Sequence, residues 1–403
     1  MAKIAVIVSN PCTGDARVIK MAEAAAESGH EVHVFATQGK NISAYEYRND
    51  VYYHRIEWKL PVILASNIFF KLLRKINKDL YGFVVKRIAP FIKYYLFRKT
   101  FSNTIIDIHP DIVHAHDLIC LPTGEYVAKE CGAKLVFDAH ELEVHRHPPL
   151  PFFQKKFVAN TEKKYASKAD AVITVGDHIA KILERDLKRN DLNVLFNSPV
   201  IKKSYRNIRS DLKLSESTRL IIYVGKVTIG RGVEDILATL PSLKSVHFAT
   251  IGPCDSRIKI KVNSIAQKLG VSDKFSILPP VYYTDVVEYI KGADMGVIAS
   301  DLSALSYRLA MPNKLFEMSF ANIPILASDF VEIGGYLVKY GNGETVDFER
   351  KETNIYNISK FLENKNDYIL TDENYKKIDE KYSWDVQKQK LAAIYFKLLN
   401  ENI

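Results

Sequence analysis

Short apolar segments rich in β-branched residues alternate with longer segments of helical periodicity along the whole chain, and this alternation limits the fold more than any other feature. Near-continuous apolar strands separated by helices indicate parallel sheets that are covered on both faces. The predicted strands are Lys3–Val8, Glu31–Ala36, Val51–Glu57, Ile112–Ala115, Lys134–Asp138, Ala171–Val175 and Val194–Phe196 in the first half, and Leu220–Val224, Val246–Ile251, Phe275–Leu278, Met295–Ala299 and Pro324–Ala327 in the second. Two such series predict two doubly wound domains, which meet in the polar stretch Asn197–Thr218.

The composition excludes several classes of protein. The chain has 403 residues, of which 47% are hydrophobic and 26% are charged, as in globular proteins but not in disordered or collagen-like ones. Its four cysteines form no CxxC pair, which favours free thiols in a reducing compartment over a zinc ribbon. The apolar start is too short for a signal peptide, and no stretch of about 18 apolar residues indicates a membrane-spanning helix.

The positive charge of the chain is concentrated in one segment. Between Lys59 and Asn103 there are ten basic residues and one acid, Asp79, so this segment carries the whole net charge of +9. Its cations alternate with long aliphatic and aromatic residues at helical spacing, which is typical of a pair of amphipathic helices at a membrane interface. A core-packed helix with a basic outer face and a nucleic-acid surface are the alternatives. We favour the membrane because long aliphatic residues accompany the charges.

The segment Ala310–Glu317 combines the features of a phosphate site and of a diol site. A helix is predicted to start at Pro312, because the missing N–H of proline would have no partner in the first helical turn. The free N–H groups around Asn313 and Lys314 then form an anion site, which the helix dipole and the lysine charge strengthen. Glu317 lies one turn further along, where its carboxylate can accept hydrogen bonds from two neighbouring sugar hydroxyls. The alternative is an ordinary helix start with an acidic residue in its first turn.

The loop Gly225–Gly232 follows the first strand of the second half and holds Lys226 and Arg231 among three glycines. Glycine lets a ligand approach the backbone closely, arginine binds phosphate through two hydrogen bonds, and lysine acts as a point charge. The spacing does not match the P-loop GxxxxGK[ST], which argues against ATP hydrolysis. Since this loop and the predicted helix start at Pro312 belong to the same edge of a sheet, a phosphate clamp is favoured over a solvated turn.

The loop Ser9–Arg17 follows the first strand of the chain. Gly14 suits a tight turn and Asp15 suits a helix cap, but the GxGxxG fingerprint of dinucleotide-binding proteins is absent. Its backbone amides could face a ligand, although a plain strand-to-helix turn is an equally good interpretation.

Two later strands of the first half end in histidines. His114 and His116 alternate along a strand and should point to the same face, while His140 and Glu141 follow the next strand. Ligands of open α/β sheets bind beyond the carboxyl ends of the strands, so we expect these side chains to face a cleft between the two domains. A metal site is the competing interpretation. It is disfavoured because HExxH spacing is absent and no Asp-x-Asp pair is available for a divalent cation.

Taken together, these residues resemble the family 4 glycosyltransferases, which are retaining enzymes of the GT-B fold. The resemblance extends through almost the whole chain and rests on Asp15–Lys20, Gly29–Val32, Asp111–His116, Asp138–Glu141, Gly225–Gly232, Pro312–Glu317 and Tyr382–Trp384. It implies two Rossmann-like α/β domains facing each other across a cleft, with residues 1–200 for the acceptor and residues 201–383 for the nucleotide-sugar donor. It also implies that the last helix, residues 384–403, returns to the first domain.

The resemblance implies roles for single residues. Lys226 and Arg231 match the basic pair that binds the donor diphosphate, with lysine where arginine is commoner. Glu317 matches the later glutamate of the Glu-x7-Glu signature, which binds ribose. Leu309 occupies the position of the earlier glutamate, so the carboxylate contact to the transferred sugar is missing. His140 matches a histidine that contacts sugars.

We therefore predict three groups of site residues. Catalysis is assigned to Lys226, Arg231 and His140; donor binding to Gly14, Gly225, Asn313, Lys314, Leu315 and Glu317; and acceptor binding to Asp15, Arg17 and Glu141.

The predicted function is transfer of a sugar, with retained anomeric configuration, from a nucleotide-diphosphate sugar to a lipid-linked or surface glycan. We expect no metal or cofactor, no nucleic-acid partner, and a peripheral position on the cytoplasmic face of the membrane through residues 59–103. No obvious carboxylate nucleophile accompanies the basic clamp, so front-face attack is expected. Two alternatives stay open. One is a nucleotide-sugar epimerase of the same fold, which has no use for the basic segment; the other is a non-catalytic membrane-bound partner, which Leu309 would suit.

Overall fold

A computed structural model describes residues 1–58, 75–146, 149–203, 206–299, 305–348 and 350–400 of the chain. The chain divides into two compact units. The first comprises Met1–Leu195 together with the residues from Lys388 onward, and the second comprises Phe196–Gln387. The sequence predicts the corresponding limits at residues 200 and 384.

The first unit is built on an eight-stranded sheet. Its elements in chain order are β1 Lys3–Ile7, α1 Ala16–Glu27, β2 Glu31–Thr37, β3 Tyr45–Arg48, β4 Val51–Ile56, α2 Lys78–Ile106, β5 Ile112–His116, α3 Asp117–Cys131, β6 Lys134–Ala139, α4 Phe152–Ala166, β7 Ala171–Thr174, α5 Asp177–Leu187 and β8 Leu192–Val194. The strand order is β3-β4-β2-β1-β5-β6-β7-β8, and every pair is parallel except β3 and β4. Helices cover this sheet, so all five residues of β5 are buried, including two histidines.

The second unit is built on a six-stranded parallel sheet. Its elements are α6 Ile208–Leu212, β9 Arg219–Val224, α7 Val233–Thr239, β10 Val246–Ile251, α8 Ser256–Lys268, β11 Phe275–Leu278, α9 Val286–Ile290, β12 Met295–Ile298, α10 Leu305–Arg308, α11 Asn313–Phe320, β13 Ile325–Ser328, α12 Val331–Tyr340, β14 Gly343–Val346, α13 Lys351–Glu363, α14 Asp372–Tyr382 and the start of α15 Trp384–Asn400, which continues into the first unit. The strand order β11-β10-β9-β12-β13-β14 is that of a Rossmann sheet.

This order of strands determines which loops lie together. In the second sheet the chain reverses its winding between β9 and β12, so the loop after β9 and the segment after β12 lie at the same edge. In the first sheet β1, β5 and β6 are adjacent, so the segments that follow them also share one carboxyl edge. The alternating pattern of the sequence thus predicts the architecture correctly.

Three details differ from the strand prediction. The antiparallel edge strand β3 and the last strand β14 were not predicted, because both are short and neither is apolar throughout. Strand β8 ends at Val194, whereas the predicted strand begins there. Leu195 still donates to the carbonyl oxygen of Thr174 and Phe196 is buried, so both apolar residues belong to the core beyond the strand.

The basic segment contributes one long helix to the described structure. Helix α2 contains Pro90 in its interior, and one face of its C-terminal part packs into the core, where Phe97 and Phe101 are fully buried. Residues 59–74, which would form the first part of the predicted helix pair, lie outside the described residues. Among the described residues, no helix combines the length and the apolar character that crossing a membrane requires.

Candidate active site

A buried ion pair fixes the carboxyl edge of the first sheet. Helix α1 begins after Asp15, whose side chain accepts a hydrogen bond from the N–H of Val18 and so caps the helix as predicted. Arg17, in the first turn, donates to both oxygens of Asp138 at 2.7 and 2.8 Å and to the carbonyl oxygen of Leu195 at 2.8 Å. Burial opposes ionisation of Asp138, but Arg17 and then His140 hold its pKa well below its usual range. The carboxylate is therefore charged, and two of its acceptor positions are occupied.

His140 lies between two carboxylates. Its Nε2 is 3.3 Å from Oδ2 of Asp138 and its Nδ1 is 3.4 Å from Oδ2 of Asp117. Nε2 also lies 3.0 Å from Nδ1 of His116. Burial acts to lower the pKa of His140, but Asp117 and then Asp138 raise it to about 9. The ring is consequently an imidazolium at neutral pH, with its positive charge at the end of β6.

Asp117 reaches His140 through an uncommon backbone conformation. Its φ of 62° lies in the left-handed region, which non-glycine residues adopt at an energetic cost. It is the first residue of α3, directly after His116 of β5. Such strain is concentrated at functional sites, where the surrounding structure maintains it.

The two histidines of β5 are buried and neutral. Their rings stack at a centroid distance of 4.3 Å, which confirms that both point to the same face. His114 Nδ1 lies 2.7 Å from the hydroxyl oxygen of Tyr395, in the returning helix α15. Burial lowers the pKa of His116 and lowers that of His114 further.

His114, His116 and Asp138 could together hold a metal ion, since one ligand atom from each lies within 4.8 Å of the others. Both oxygens of Asp138, however, already accept hydrogen bonds from Arg17. A metal ion at Asp138 would therefore lie beside a guanidinium. These residues fit an internal ion pair better than a metal site, and the predicted absence of a metal stays a prediction.

The remaining predicted residues of the first unit lie near this cluster in the chain. Asp15 accepts a second hydrogen bond, from Asn10 Nδ2 at 2.7 Å. No atom lies within 4 Å of the position that a Cβ on Gly14 would occupy, so the loop is open there. Glu141 is half-buried, and burial and then Glu143 raise its pKa. The structure directs Arg17 towards Asp138, and its assignment to acceptor binding stays a prediction.

Glycine is required at two positions of the loop after β9. Gly225 has a φ of 123°, and its carbonyl oxygen would lie 2.3 Å from a Cβ on Gly252, at the end of the neighbouring strand β10. Gly232 has a φ of 81°, and a Cβ there would lie 2.1 Å from the Cβ of Ala299. The loop therefore packs tightly against both neighbours of β9, which keeps its backbone close to the edge of the sheet.

Lys314 lies against this loop. Its Nζ is 3.8 Å from the ring centroid of Tyr223 and 3.8 Å from the position of a Cβ on Gly225. Burial lowers the pKa of Lys314, an effect that the nearby Tyr223 opposes. The structure thus brings together Gly225 and Lys314, two residues that the sequence predicts to bind the donor.

The helix that carries Lys314 begins one residue later than predicted. Pro312 has an extended backbone, with φ −73° and ψ 152°, and serves as the N-cap, so that Asn313 is the first helical residue. Leu315 is fully buried and anchors the helix, whereas Glu317 is half-buried in the next turn.

Arg231 and Lys226 differ in their surroundings. Arg231 is half-buried; its Nη2 lies 3.4 Å from the hydroxyl of Tyr307, and its guanidinium lies over the tyrosine ring at 5.7 Å. Lys226 is exposed, and its Nζ lies 3.8 Å from a carboxylate oxygen of Asp255, the N-cap residue of α8. Arg231 is therefore oriented by an aromatic neighbour, and Lys226 is only loosely held.

Leu309 is a core residue. It is 7% exposed, and its N–H donates to the carbonyl oxygen of Leu305 in α10. The position that the resemblance gives to a sugar-binding carboxylate is thus occupied by a buried apolar side chain.

Four residues of these two edges have no role predicted from the sequence: Asp138, Asp117, Tyr223 and Tyr307. Asp138 carried a usable signal, because a carboxylate at the end of an apolar buried strand requires a cationic partner. The tyrosines carried none, because nothing in their spacing indicates which cation they contact.

Two family profiles match the chain. One, described as glycosyltransferase family 4, matches residues 16–198, and the other, described as glycosyl transferases group 1, matches residues 204–381. An uncharacterised glycosyltransferase of Methanocaldococcus jannaschii is 23% identical, with 93% of this chain and 92% of the relative covered. A putative teichuronic acid biosynthesis glycosyltransferase of Bacillus subtilis is also 23% identical, with 58% of this chain and 56% of the relative covered.

Solved structures share the fold. A sucrose-phosphate synthase from Thermosynechococcus elongatus superposes with a TM-score of 0.75 at 15% identity, and the match covers 99% of both chains. An Anabaena protein crystallised with UDP and glucose superposes with a TM-score of 0.70 at 12% identity, covering 98% of this chain and 100% of that one. At such identities the likeness concerns the fold, two Rossmann-like α/β domains.

Proposed function

Because the chain belongs to the family 4 glycosyltransferases of the GT-B fold, we propose that it transfers a sugar from a nucleotide-diphosphate sugar to a lipid-linked or surface glycan, with retention at the anomeric carbon. The observation that carries the donor assignment is the position of Lys314. Its ammonium lies against Gly225 and Tyr223, at the edge where the loop after β9 meets the start of α11.

The cations of this edge suit a diphosphate. Lys314 is half-buried and Arg231 is oriented by Tyr307, so both charges have little freedom to lose when a ligand binds. Backbone N–H groups at the start of α11 add donors, and the helix dipole favours an anion there. Glu317, in the following turn, is suited to the two hydroxyls of a ribose.

The proposed mechanism relies on charge stabilisation. As the bond between the anomeric carbon and the diphosphate breaks, negative charge grows on the departing oxygens, and Lys314 and Arg231 stabilise it. The acceptor hydroxyl attacks from the face that the diphosphate leaves and transfers its proton to a departing phosphate oxygen, so the configuration is retained. We propose that His140, held as an imidazolium by Asp117 and Asp138, contacts the sugar and contributes a further positive charge. No divalent cation or other cofactor is required in this scheme.

We propose a peripheral position on the cytoplasmic face of the membrane. Two observations support it. Helix α2 belongs to the segment that carries the net charge of +9, and Phe152 and Phe153 at the start of α4 are 74% and 78% exposed. Cations attract anionic lipids, and exposed aromatic side chains enter the interface. The four free cysteines fit a reducing compartment.

One observation favours a second candidate. Leu309 is apolar and buried where the resemblance expects a carboxylate for the transferred sugar. This substitution suits a protein that binds a nucleotide or glycan without turnover. The basic segment, by contrast, gives no support to an epimerase.

Turnover distinguishes these candidates. The purified chain is incubated with each of several nucleotide-diphosphate sugars, anionic vesicles and a lipid extract as acceptor source, and release of free nucleoside diphosphate is measured. A glycosyltransferase releases the diphosphate with one donor and only in the presence of acceptor. A binding protein shows a donor-dependent rise in melting temperature without release, and that result would contradict the proposal.

A further inference from the structure

A cavity of about 360 Å³ lies between helices α2 and α4 of the first unit. Each helix contributes one face at helical spacing, with Phe91, Tyr94 and Arg98 from α2 and Phe157, Asn160 and Lys164 from α4. The volume lies at the lower end of the range of small-molecule pockets, which is about 300–1,000 Å³. None of these residues belongs to the site described above.

The inner walls of the cavity are aromatic. The ring of Phe157 contacts those of Phe91 and Tyr94, at centroid distances of 4.9 and 6.0 Å. Tyr94 is 5% exposed, whereas Phe91 is 38% exposed, so the walls extend from the core to the surface. Such walls suit an apolar chain that enters from one side.

Two cations stand at the rim. The guanidinium of Arg98 lies over the rings of Tyr95 and Tyr126, at 5.8 and 5.1 Å, and Nζ of Lys164 lies over the ring of Tyr165 at 5.1 Å. Within the described ranges of the chain, neither cation forms an ion pair with a carboxylate. Aromatic rings hold both charges in place and leave them uncompensated, so an anionic group at the rim would be bound.

The surface beside the cavity is suited to a lipid bilayer. Phe152 and Phe153 are the first two residues of α4; Phe153 lies one turn before Phe157, on the same face of the helix, and Lys156 beside them is exposed. Two exposed phenylalanines next to a cation are unusual on a surface that faces only water. They are the pattern of a helix end that inserts into the interface.

We propose that this cavity binds the chain of a single-chain lipid phosphate, whose phosphate is held by Arg98 and Lys164 while Phe152 and Phe153 rest in the bilayer. The volume favours one chain, because two acyl chains of a phospholipid would not fit between Phe91, Tyr94 and Phe157. The inference rests on the proposed function in one respect, since it identifies the lipid part of a lipid-linked acceptor.

Farnesyl phosphate is a soluble probe of this site. Calorimetric titration of the full chain should detect binding, and Asn160→Trp should reduce the affinity more than tenfold, because Asn160 is an exposed rim residue from which a larger ring fills the cavity. The double variant Arg98→Gln/Lys164→Gln should lose at least tenfold in affinity for farnesyl phosphate and little for farnesol. Lys163→Gln, an exposed neighbour on α4 that does not line the cavity, is the matched control and should bind as the parent does.

Three results would overturn the proposal. They are absence of binding by the parent chain, equal affinity of the rim variants and the control, and competition by inorganic phosphate as effective as by farnesyl phosphate. An unchanged circular dichroism spectrum shows that a variant is folded. If Asn160→Trp is not folded, the affinity of Arg98→Gln/Lys164→Gln for farnesyl phosphate alone tests the proposal.

Vesicles of phosphatidylglycerol identify the occupant. Asn160→Trp should still sediment with them, because Phe152 and Phe153 remain, and loss of sedimentation would mean that the cavity takes ordinary phospholipid instead. No step of these measurements involves donor turnover. If farnesyl phosphate does not bind, release of nucleoside diphosphate should still be observed. If nucleoside diphosphate is not released, binding of farnesyl phosphate should still be observed.

Discussion

Arg17 and Asp138, one at the start of a helix and the other at the end of a strand, form a buried bidentate ion pair at 2.7 and 2.8 Å. The same carboxylate lies 3.3 Å from His140. The pair therefore links the folding of the first domain to the charge of the predicted catalytic histidine.

Removing the cation of this pair should be costly. Arg17→Leu leaves a buried carboxylate without its partner, and we expect a loss of about 3–5 kcal/mol in the free energy of unfolding. Adding Asp138→Asn should recover part of the lost free energy of unfolding, because the double variant has no uncompensated buried charge. Urea unfolding provides the measurement. Arg185→Leu, which removes an exposed ion pair with Asp186, is the control and should cost less than about 1 kcal/mol. Equal losses in the two single variants would contradict the argument.

The charge of His140 should be visible in the pH dependence of stability. Its pKa in the folded chain, about 9, is above that of an unfolded chain, so its contribution is fully present below the ordinary pKa and is lost as the pH rises through about 9. Between neutral pH and pH 9 the free energy of unfolding of the parent should fall by on the order of 1–3 kcal/mol through this titration, and we expect His140→Gln to lack that fall. Nuclear magnetic resonance of labelled histidine gives the pKa directly.

A matched control for this titration is His109→Asn. His109 is exposed, and its φ of 49° is one that asparagine also tolerates. The dependence of stability on pH should be the same in this variant as in the parent. If His140 titrates at the ordinary pKa of histidine, Asp117 and Asp138 do not stabilise its protonated form.

Nucleotide affinity should depend on the edge formed by the loop after β9 and α11. Arg231→Ala, Lys314→Met and Glu317→Gln each remove charge-assisted hydrogen bonds, and each should weaken binding of the cognate nucleoside diphosphate by about 1.5–3 kcal/mol. The folded structure should persist. Arg257→Ala, an exposed cation on α8, should bind as the parent does in the same calorimetric titration. Unchanged affinity in all three site variants would place the nucleotide elsewhere.

Turnover should survive removal of divalent cations. The expectation rests on Lys314 and Arg231, which supply positive charge where the diphosphate would carry its negative charge. Nucleotide release is measured before and after treatment with a chelator. Complete loss, with recovery on addition of magnesium or manganese, would show that a metal supplies the charge instead.

The basic segment should bind anionic membranes. Neutralising Lys71, Arg74, Lys75 and Lys78 together to glutamine should release the chain from anionic vesicles in a sedimentation assay, and high salt should act in the same direction because it screens each charge. Binding to neutral vesicles should be weak in every variant.

A control with the same change in net charge is available in the second domain. Lys244, Lys259, Lys261 and Lys268 are exposed, and neutralising them should leave sedimentation unchanged. If the basic segment is instead core-packed, its four changes will alter the melting temperature and not the partitioning.

The sequence predicts the architecture well because burial on both faces of a sheet leaves a repeated apolar signal. It fails at β3, because Tyr45–Arg48 is an edge strand with an alternating exposed pattern, and at β14, because Gly343–Val346 is only partly buried. The end of β8 could not be located, since Leu195 and Phe196 are as apolar as the strand itself and are buried without belonging to it.

Individual site residues were predictable, but their contacts were not. The sequence identifies His140 and Arg17 separately, and only the folded sheet shows that Asp138 lies between them, 121 residues from Arg17. Likewise Lys314 is recognisable at a helix start, but its contact with Tyr223 depends on how β9 and α11 pack. Spacing along the chain carries no information about such distant pairs.

The hydrogen-bond contact between His114 and Tyr395 has a consequence for biosynthesis. His114 lies in the central sheet of the first domain, and Tyr395 belongs to the last helix of the chain. Tyr395 lies 281 residues after His114, so the residue that completes this core is synthesised only after the residues of the second unit. A fragment that ends at Leu195 would therefore lack part of its own interior.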